Sequence, residues 1–460
     1  MKKTLTILGM SALILLGTAC SNDDDGINND ISNNPYKKIE LTRSEQEMVG
    51  ANNDFAFNFY NQLNTHIGEH NMMVSPLSLA QALSMLANGA DGNTKTELMN
   101  VLGFGAYSVE EMNAYYMNLN KGLLSADKTS KIALANSFWI NNQYTAIDSY
   151  KKTLQNSYDA EVQELPFDNT ICAKINQWAE ENTYGCIKKV VNESDINSNT
   201  VMALLNATYF KGIWKDKFKE KNSFKGNFTA PDKSSFVEYM KQESFEANVY
   251  EDKDCKLIEL PYGNEAFSMV VILPNEEITL DKLMQNVDAD RWQSWMEQLS
   301  FHTNVLVQLP KFTGKYEYNE NLKQTLIEMG VVDAFSKHDA DFSQMTETQV
   351  FVNCIGNYFQ CDMLNTGRSN RTDIHTWTKS NGLNTFQSFN VFYAIIFNCI
   401  RHIILLFNII CLLFSYYKYY IIYFSKNQLR NYLISINNSF STDFYNNCNI
   451  NFLTCQVKEK

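Results

Sequence analysis

The sequence predicts an α+β chain, with helices first and long strands after them. Three observations carry this. Residues 41–160 place apolar side chains three and four apart behind capping residues, as in "SPLSLAQALSMLANGA". From about residue 130, β-branched and aromatic runs such as "KIALANSFWI" and "TVMALLNATYF" take over. Two later runs, "SMVVILP" and "NVLVQLPKF", are each ended by Pro. No internal repeat and no linker divides residues 41–350, so one domain is expected.

The N-terminus comes first. Lys2 and Lys3 precede the apolar stretch Leu5 to Leu16, and the small residues of "GTAC" follow. Residues 1–20 therefore read as an export signal. It is either a plain secretory signal cut near Ala19 or a lipoprotein signal with Cys20 as the acylated residue. Gly17 stands where lipoprotein signals prefer Leu, but "CSNDDD" resembles the start of surface-exposed lipoproteins of the Bacteroides group. A lipid on Cys20 would hold the chain to a membrane without a spanning helix. Residues 21–40, rich in Asn, Asp and Ser, read as a flexible tether. The expected location is the cell surface or outer membrane, or the extracellular space.

Within the domain, Ser75 is placed to cap a helix that has Pro76 in its first turn, where the missing N–H costs nothing. Leu79, Leu83, Leu86 and Ala90 share its apolar face. "TKTELMNVLGF" predicts a second helix with a capping box between Thr94 and Glu97, ended by Gly103 in a left-handed conformation. "INQWAEENTYGCIKKVV" predicts an amphipathic helix with a Gly stop, and "TVMALLNATYF" a buried strand.

Composition excludes several functions. With net charge −12 and no Lys/Arg-rich run, the chain lacks the basic face that nucleic acid requires. Its ten Cys include no C-x-x-C pair, so zinc knuckles and thioredoxin-like chemistry are not expected. "HIGEH" puts His66 and His70 around Glu69 with inverted metalloprotease spacing. Gly68 interrupts it and no third ligand is evident, so no metal site is expected there. No nucleophile elbow, P-loop or dinucleotide fingerprint occurs, so neither an enzyme nor a cofactor is implied.

Several long segments together resemble one family, the serpins. They are "NMMVSPLSLAQALSMLANGADGNTKTELMNVLGF" (71–104), "LLNATYFKGIWKDKF" (204–218), "LPYGNEAFSMVVILPNE" (260–276) and "LPKFTGKYEYNENLKQTLIEMGVVDAFSKHDADFSQMT" (309–346). The resemblance covers roughly 45–353 and implies a single monomeric domain of three β-sheets and eight or nine helices. It implies inhibition of serine or cysteine proteases. An exposed reactive loop is cut, then enters the largest sheet as an extra strand and carries the acyl-bound protease with it. By the same resemblance, Ser75, Ser78 and Asn206 match a polar shutter beneath that sheet, and Trp214 matches the breach where insertion begins. Read from the residues alone, the two Ser are helix caps and Trp214 is core.

After "VFVN" (350–353) the pattern breaks. Asn357 stands where the shutter His belongs, and "NTGRSNR" places Arg368 and Arg371 where the hinge has small residues, so the reactive bond cannot be located. Of the 70 residues from Val391 to Lys460, 42 are Phe, Tyr, Ile, Asn or Lys, and three are Gly, Ala, Pro or Arg. That is the bias of A/T-rich codons. Residues 354–460 thus form an aberrant tail, expected to be irregular beyond about 360. Its apolar stretch has three readings: a membrane-spanning helix, a replacement for the last core strands, or a frameshifted reading frame. Shifted by one base, codons for Arg401 to Leu405 can read Gly-Ile-Leu-Phe, close to the family's final strand. Codons for Gly367 to Asn370 can read Gly-Glu-Ala-Thr, close to its hinge. A damaged hinge leaves two functional readings: an impaired inhibitor, or a non-inhibitory binding protein on the same scaffold.

Overall fold

The computed structural model describes residues 34–67, 72–193, 195–196, 200–229, 234–275, 278–318, 320–353, 355–366, 369–379, 392–399, 410–413 and 422–423. The first half of the chain runs α1 (Arg43–Ile67), β1 (Met72–Val74), α2 (Pro76–Gly89), α3 (Gly92–Val101), α4 (Val109–Ser125), β2 (Lys131–Asn141), α5 (Asp148–Tyr158), β3 (Glu161–Leu165) and α6 (Ile171–Asn182). It continues with β4 (Met202–Ile213), β5 (Phe224–Thr229), β6 (Ser234–Glu251), β7 (Cys255–Pro261), β8 (Phe267–Pro274), α7 (Leu280–Met284), α8 (Ala289–Gln298), β9 (Ser300–Pro310), β10 (Phe312–Tyr318) and α9 (Glu320–Glu328). Five strands follow: β11 (Gly356–Thr366), β12 (Ser369–Lys379), β13 (Phe392–Cys399), β14 (Ile410–Leu413) and β15 (Ile422–Tyr423).

Helix α2 forms where the sequence places it. Ser75 is extended at the N-cap, its hydroxyl accepts from the Ser78 N–H at 3.4 Å, and Pro76 opens the helix. All its residues but Asn88 are buried, as expected of a helix covered on every side. The start of α3 differs from expectation. Asp91 caps it by accepting from the Gly92 N–H at 2.9 Å. Glu97 does not close a box with Thr94. Its carboxylate takes the N–H groups of Val332 and Asp333, both at 2.8 Å, while the Thr94 hydroxyl accepts from Asp341 N–H. A capping box does occur at α4, between Ser108 and Glu111. Gly103 ends α3 at φ +75°, as expected.

The strands form two hydrogen-bonded sheets, six-stranded in the order β10-β11-β12-β4-β2-β3 and nine-stranded in the order β1-β14-β13-β8-β7-β6-β9-β15, with β5 on β6. The larger is two sheets joined through β6. This 18-residue strand meets β5 at one end and β7 at the other. Between them its register against β9 shifts at Gln242/Phe245, and Ser244 takes φ +56°. A left-handed residue at a bulge turns the strand so that one chain serves two surfaces.

Two cores flank the six-stranded sheet, and alternate residues of β4 feed them. Leu204 and Phe210 join the main core with α1, α2 and α4; Ala203, Leu205 and Ala207 join a smaller one under α6, with Ile175 and Trp178. The chain is already packed from Asn34, inside the segment expected as tether. The Asn34 carboxamide donates to the buried Asp127 carboxylate at 2.6 Å, and Ile39 lies against Gly122 of α4. The acceptor Asp127 and the close approach at Gly122 hold this stretch down.

The tail departs from the expectation of irregular chain beyond 360. β11 and β12 lie in the six-stranded sheet, and β13 and β14 fill the space between β8 and β1. "FYAIIF" pairs Ala394–Phe397 with Ile272–Met269, and Met72–Val74 pairs with Leu412–Ile410. The physical reason is the strand neighbour: β8 is a Val/Ile row buried on both faces, and an apolar β-forming segment satisfies its open hydrogen bonds. Among the described residues no helix is long and apolar enough to cross a membrane.

Candidate functional site

The centre of the six-stranded sheet is occupied by β12. It pairs antiparallel with β11 over Ser369–Lys379 and with β4 over Arg371–Lys379. Its alternate residues are Thr372, Ile374, Thr376 and Thr378, interleaved with Arg371, Asp373, His375, Trp377 and Lys379. That period of two, rich in Thr, suits a strand rather than a loop. Arg371 stands opposite Ile213, and Asp373 opposite Lys211, a buried lysine. Lys131 flanks Lys211 on the other side, and Asp362 flanks Asp373, so two cations and two acids share one crosswise row.

A second row holds Asn206, one of the three residues expected in the shutter. Asn136, Asn206, Thr378, Asn357 and Tyr318 follow one another across β2, β4, β12, β11 and β10. Asn357, expected at the shutter His position, therefore falls in the Asn206 row. Ser75, Ser78 and Asn206 are all buried. Ser75 caps the Ser78 N–H, as the sequence alone suggested. The Asn206 carboxamide donates to Asn136 Oδ1 at 2.7 Å and accepts from the Thr208 hydroxyl at 3.3 Å. Asn136 passes the network on: it donates to the Tyr158 carbonyl at 2.8 Å and to Gln81 Oε1 at 3.3 Å. Gln81, one turn beyond Ser78 on α2, donates to Asn120 of α4 at 2.9 Å.

Asn136, Gln81 and Asn120 are thus the residues that sequence reasoning missed. Their signal was present: an Asn inside the apolar strand "KIALANSFWI" and a Gln inside the apolar helix "SPLSLAQALSML". A buried amide at such a place requires partners. The bonds among these groups join neutral carboxamides, hydroxyls and a carbonyl, so they do not change with pH in the way a carboxylate or imidazole network would.

Trp214 lies at the end of β4, 2% exposed, bridged to Tyr262 and stacked on its ring at 4.4 Å; Phe218 meets it edge-on. Its indole N–H has no protein acceptor among the described residues. Next to it, Gly263 at φ +39° gives its N–H to the Ile213 carbonyl at 2.8 Å, and a Cβ there would meet Thr129 Oγ1 at 2.0 Å and Asp127 Oδ2 at 2.3 Å. The docked N-terminal segment reaches this same end of the sheet through Asn34 and Asp127. Cys20, His70, Glu69 and Arg368 lie outside the described residues. His66 pairs with Glu328 at 2.8 Å, and among the described residues no cluster could hold a metal.

In this α+β domain the six-stranded sheet holds a late strand, β12, between β4 and β11, over a buried carboxamide network. Comparison with known proteins gives it a family. The family model for Serpin (serine protease inhibitor) matches residues 50–371, and the chain belongs to the serpin family. That match runs past Asn353, where the sequence pattern had been read as ending. Human serpin B3 is 32% identical over 323 residues, covering 66% of this chain and 82% of that protein. An uncharacterized serpin-like protein of Methanosarcina acetivorans is 32% identical over 319 residues, covering 66% and 70%. Among solved structures, the thermophilic serpin tengpin in its latent state matches at TM-score 0.71 and 24% identity, covering 82% of this chain and 100% of that one. Emu ovalbumin matches at TM-score 0.67 and 23% identity, covering 75% and 94%.

Proposed function

We propose that this chain is an exported, lipid-tethered serpin-family protein whose six-stranded sheet is filled by its own strand β12, and that in this form it does not inhibit proteases. One observation carries the reading: β12 sits between β4 and β11. Inhibition of serine or cysteine proteases by the family's route requires that place to be vacant until a loop is cut. With β12 in place, the free energy of adding a strand is already spent. The likeness to a serpin solved in its latent state is consistent with this. On this reading Ser75, Ser78 and Asn206 act as the shutter, with Asn357 in the same row and Asn136 and Gln81 as its continuation, and Trp214 marks the end from which β12 enters. Lipid on Cys20 would hold the domain at the cell surface, where a non-inhibitory scaffold can bind partners.

The test is incubation of the full chain with trypsin-, chymotrypsin-, elastase- and papain-like proteases, followed by denaturing gels. The expected result is intact chain or ordinary fragments. An SDS-stable band at the summed mass of chain and protease would overturn the reading. Metabolic labelling with a clickable fatty acid checks the anchor: wild type labels, and Cys20→Ala does not.

A second reading rests on the composition of 391–460 and on the family match ending at 371. The tail would then be a frameshifted substitute for the family's own C-terminus. Restoring the frame by one base should create the protease complex that the unaltered gene does not give.

A further inference from the structure

The net charge of −12 is not spread evenly over the molecule. One corner gathers four stretches of chain. The Asn34 carboxamide donates to Asp127 at 2.6 Å and accepts from the Lys128 N–H at 3.3 Å. The Asn264 carboxamide donates to the Ala126 carbonyl at 2.9 Å. The Gly263 N–H donates to the Ile213 carbonyl at 2.8 Å, and the Lys215 N–H to the Pro261 carbonyl at 3.0 Å. These bonds bring residues 34–40, the turn from α4 to β2, the end of β4 and the turn from β7 to β8 together.

The corner is basic. Lys37, Lys38, Lys128, Lys217 and Lys219 are exposed there, and none makes an ion pair among the described residues. Of the nearby acids, Asp127 is buried and Glu265 is held by Lys215 at 2.6 Å. That leaves Glu40 and Asp216 as the exposed acids of these stretches. Of the 39 Lys and Arg and 51 acids in the chain, residues 34–40, 126–131, 213–219 and 261–265 hold seven Lys and four acids. The corner is therefore cationic on an otherwise anionic molecule. Its lysines come from separate parts of the sequence, so no run announces it.

The tether enters this same corner. On the reading that Cys20 carries lipid, 13 residues separate the anchor from Asn34. They span about 50 Å at full stretch and about 20 Å on average as a flexible coil. We propose that the corner docks on a layer of anionic phospholipid headgroups and holds the Trp214 end of the six-stranded sheet against the membrane. Each Lys brought close to such a surface raises affinity about fivefold. Charges more than about 8 Å away are screened at physiological salt, so the acidic remainder of the molecule does not prevent contact. Tyr36, 40% exposed beside Lys37, has the apolar body and polar tip that suit headgroup depth. The competing occupant is the tether's own Asp23, Asp24 and Asp25. Solvated pairs on a flexible segment are worth little, whereas a headgroup layer meets all the lysines at once.

The test places the full chain on vesicles of phosphatidylcholine, alone or mixed with phosphatidylglycerol. Acylation of lysines by a water-soluble ester is followed residue by residue by mass spectrometry. On mixed vesicles Lys37, Lys128 and Lys217 should react at least about fivefold more slowly than on neutral ones. Lys152, Lys253 and Lys282, exposed on α5, the turn from β6 to β7 and α7, should keep their rates. Flotation of the Cys20→Ala chain separates this proposal from the anchor. That chain should still prefer mixed vesicles, and Lys37→Glu/Lys128→Glu/Lys217→Glu should lower its affinity for them at least about tenfold. The equal charge reversal Lys152→Glu/Lys253→Glu/Lys282→Glu should change it little. Wild type that fails to associate with neutral vesicles would remove the anchor and not the docking corner. The proposal is overturned if labelling rates are the same on both vesicles, if the control lysines are the ones protected, or if both triple variants weaken binding alike. Slow labelling of the corner in free solution, relieved by Asp23→Asn/Asp24→Asn/Asp25→Asn, would give the corner to the tether and also overturn it.

Discussion

Asn136 is where the polar network beneath the six-stranded sheet branches, since it meets Asn206, Gln81 and the Tyr158 carbonyl at once. Asn136→Leu would leave Asn206 without its acceptor and Tyr158 without its donor, both buried. A loss of about 2–4 kcal/mol is expected, read as a lower urea midpoint at unchanged slope. Asn120→Ala, half-buried at the network's far end, should cost under about 1 kcal/mol. Glycines give a second contrast. Gly263→Ala drives a Cβ into Asp127 and Thr129 at a left-handed φ, and should cost about 2 kcal/mol or more. Gly50→Ala, in the middle of α1 with nothing within 4 Å, should stabilise by about 0.5–1 kcal/mol. Thermal melts of the two variants check the opposite signs. At this scale legibility followed sequence distance. Ser75 and Pro76 were readable because a cap and its helix are neighbours. Glu97 was misread because its partners, Val332 and Asp333, are more than two hundred residues away and compete successfully for its carboxylate.

Elements are held by a few polar clasps whose pH response can be worked out. Glu328 at the end of α9 accepts from Gln324, and then from Gln62 and His66 of α1. These bonds, that of Gln324 foremost, outweigh burial and hold its carboxyl below the ordinary 4.5. A depressed carboxylate contributes stability that is complete above about pH 4.5 and is lost as pH falls through the lower folded value. Glu328→Gln should therefore flatten the acid limb of urea midpoint against pH below about 4.5, and change little at neutral pH. The central strand offers another test. Asp373→Lys would replace the mixed row beside Lys211 and Lys131 with three cations. Like charges on adjacent strands cost about 0.2–1 kcal/mol per pair. Limited proteolysis should then cut the chain near residues 367–379 faster than in wild type, with β4 unaffected. Cleavage at an unchanged rate would mean that the row does not hold β12. Of the elements before β10, α2, α3, β2, α6, β4, β8 and β9 were legible because each carries its own period, cap or stop. β11 to β15 were not, because the resembling motifs stop at Asn353 and composition shifts from Val391, while their placement came from what β4, β8 and β1 left open.

For the whole molecule, the fold class was legible and the filled sheet was not. The helices-then-strands order and the long segments from 71 to 346 pointed to an α+β serpin, which the family match bears out. Nothing in "GRSNRTDIHTWTK" announces a central strand, since a strand's address in a sheet is set by its neighbours and not by its own residues. The topology also imposes a timetable. β4 and β10 are complete by residue 318, yet β12, which separates β4 from β11, is not synthesised until residue 379, and β14 reaches β1 only at 413. At about 5–20 residues per second, the interval from residue 318 to 379 lasts about 3–12 s. Throughout it, a nascent chain carries both sheets with a vacant middle and unpaired edges, and only its last fifth can close them. Until β12 and β14 are made, those edges must therefore be kept apart from other chains.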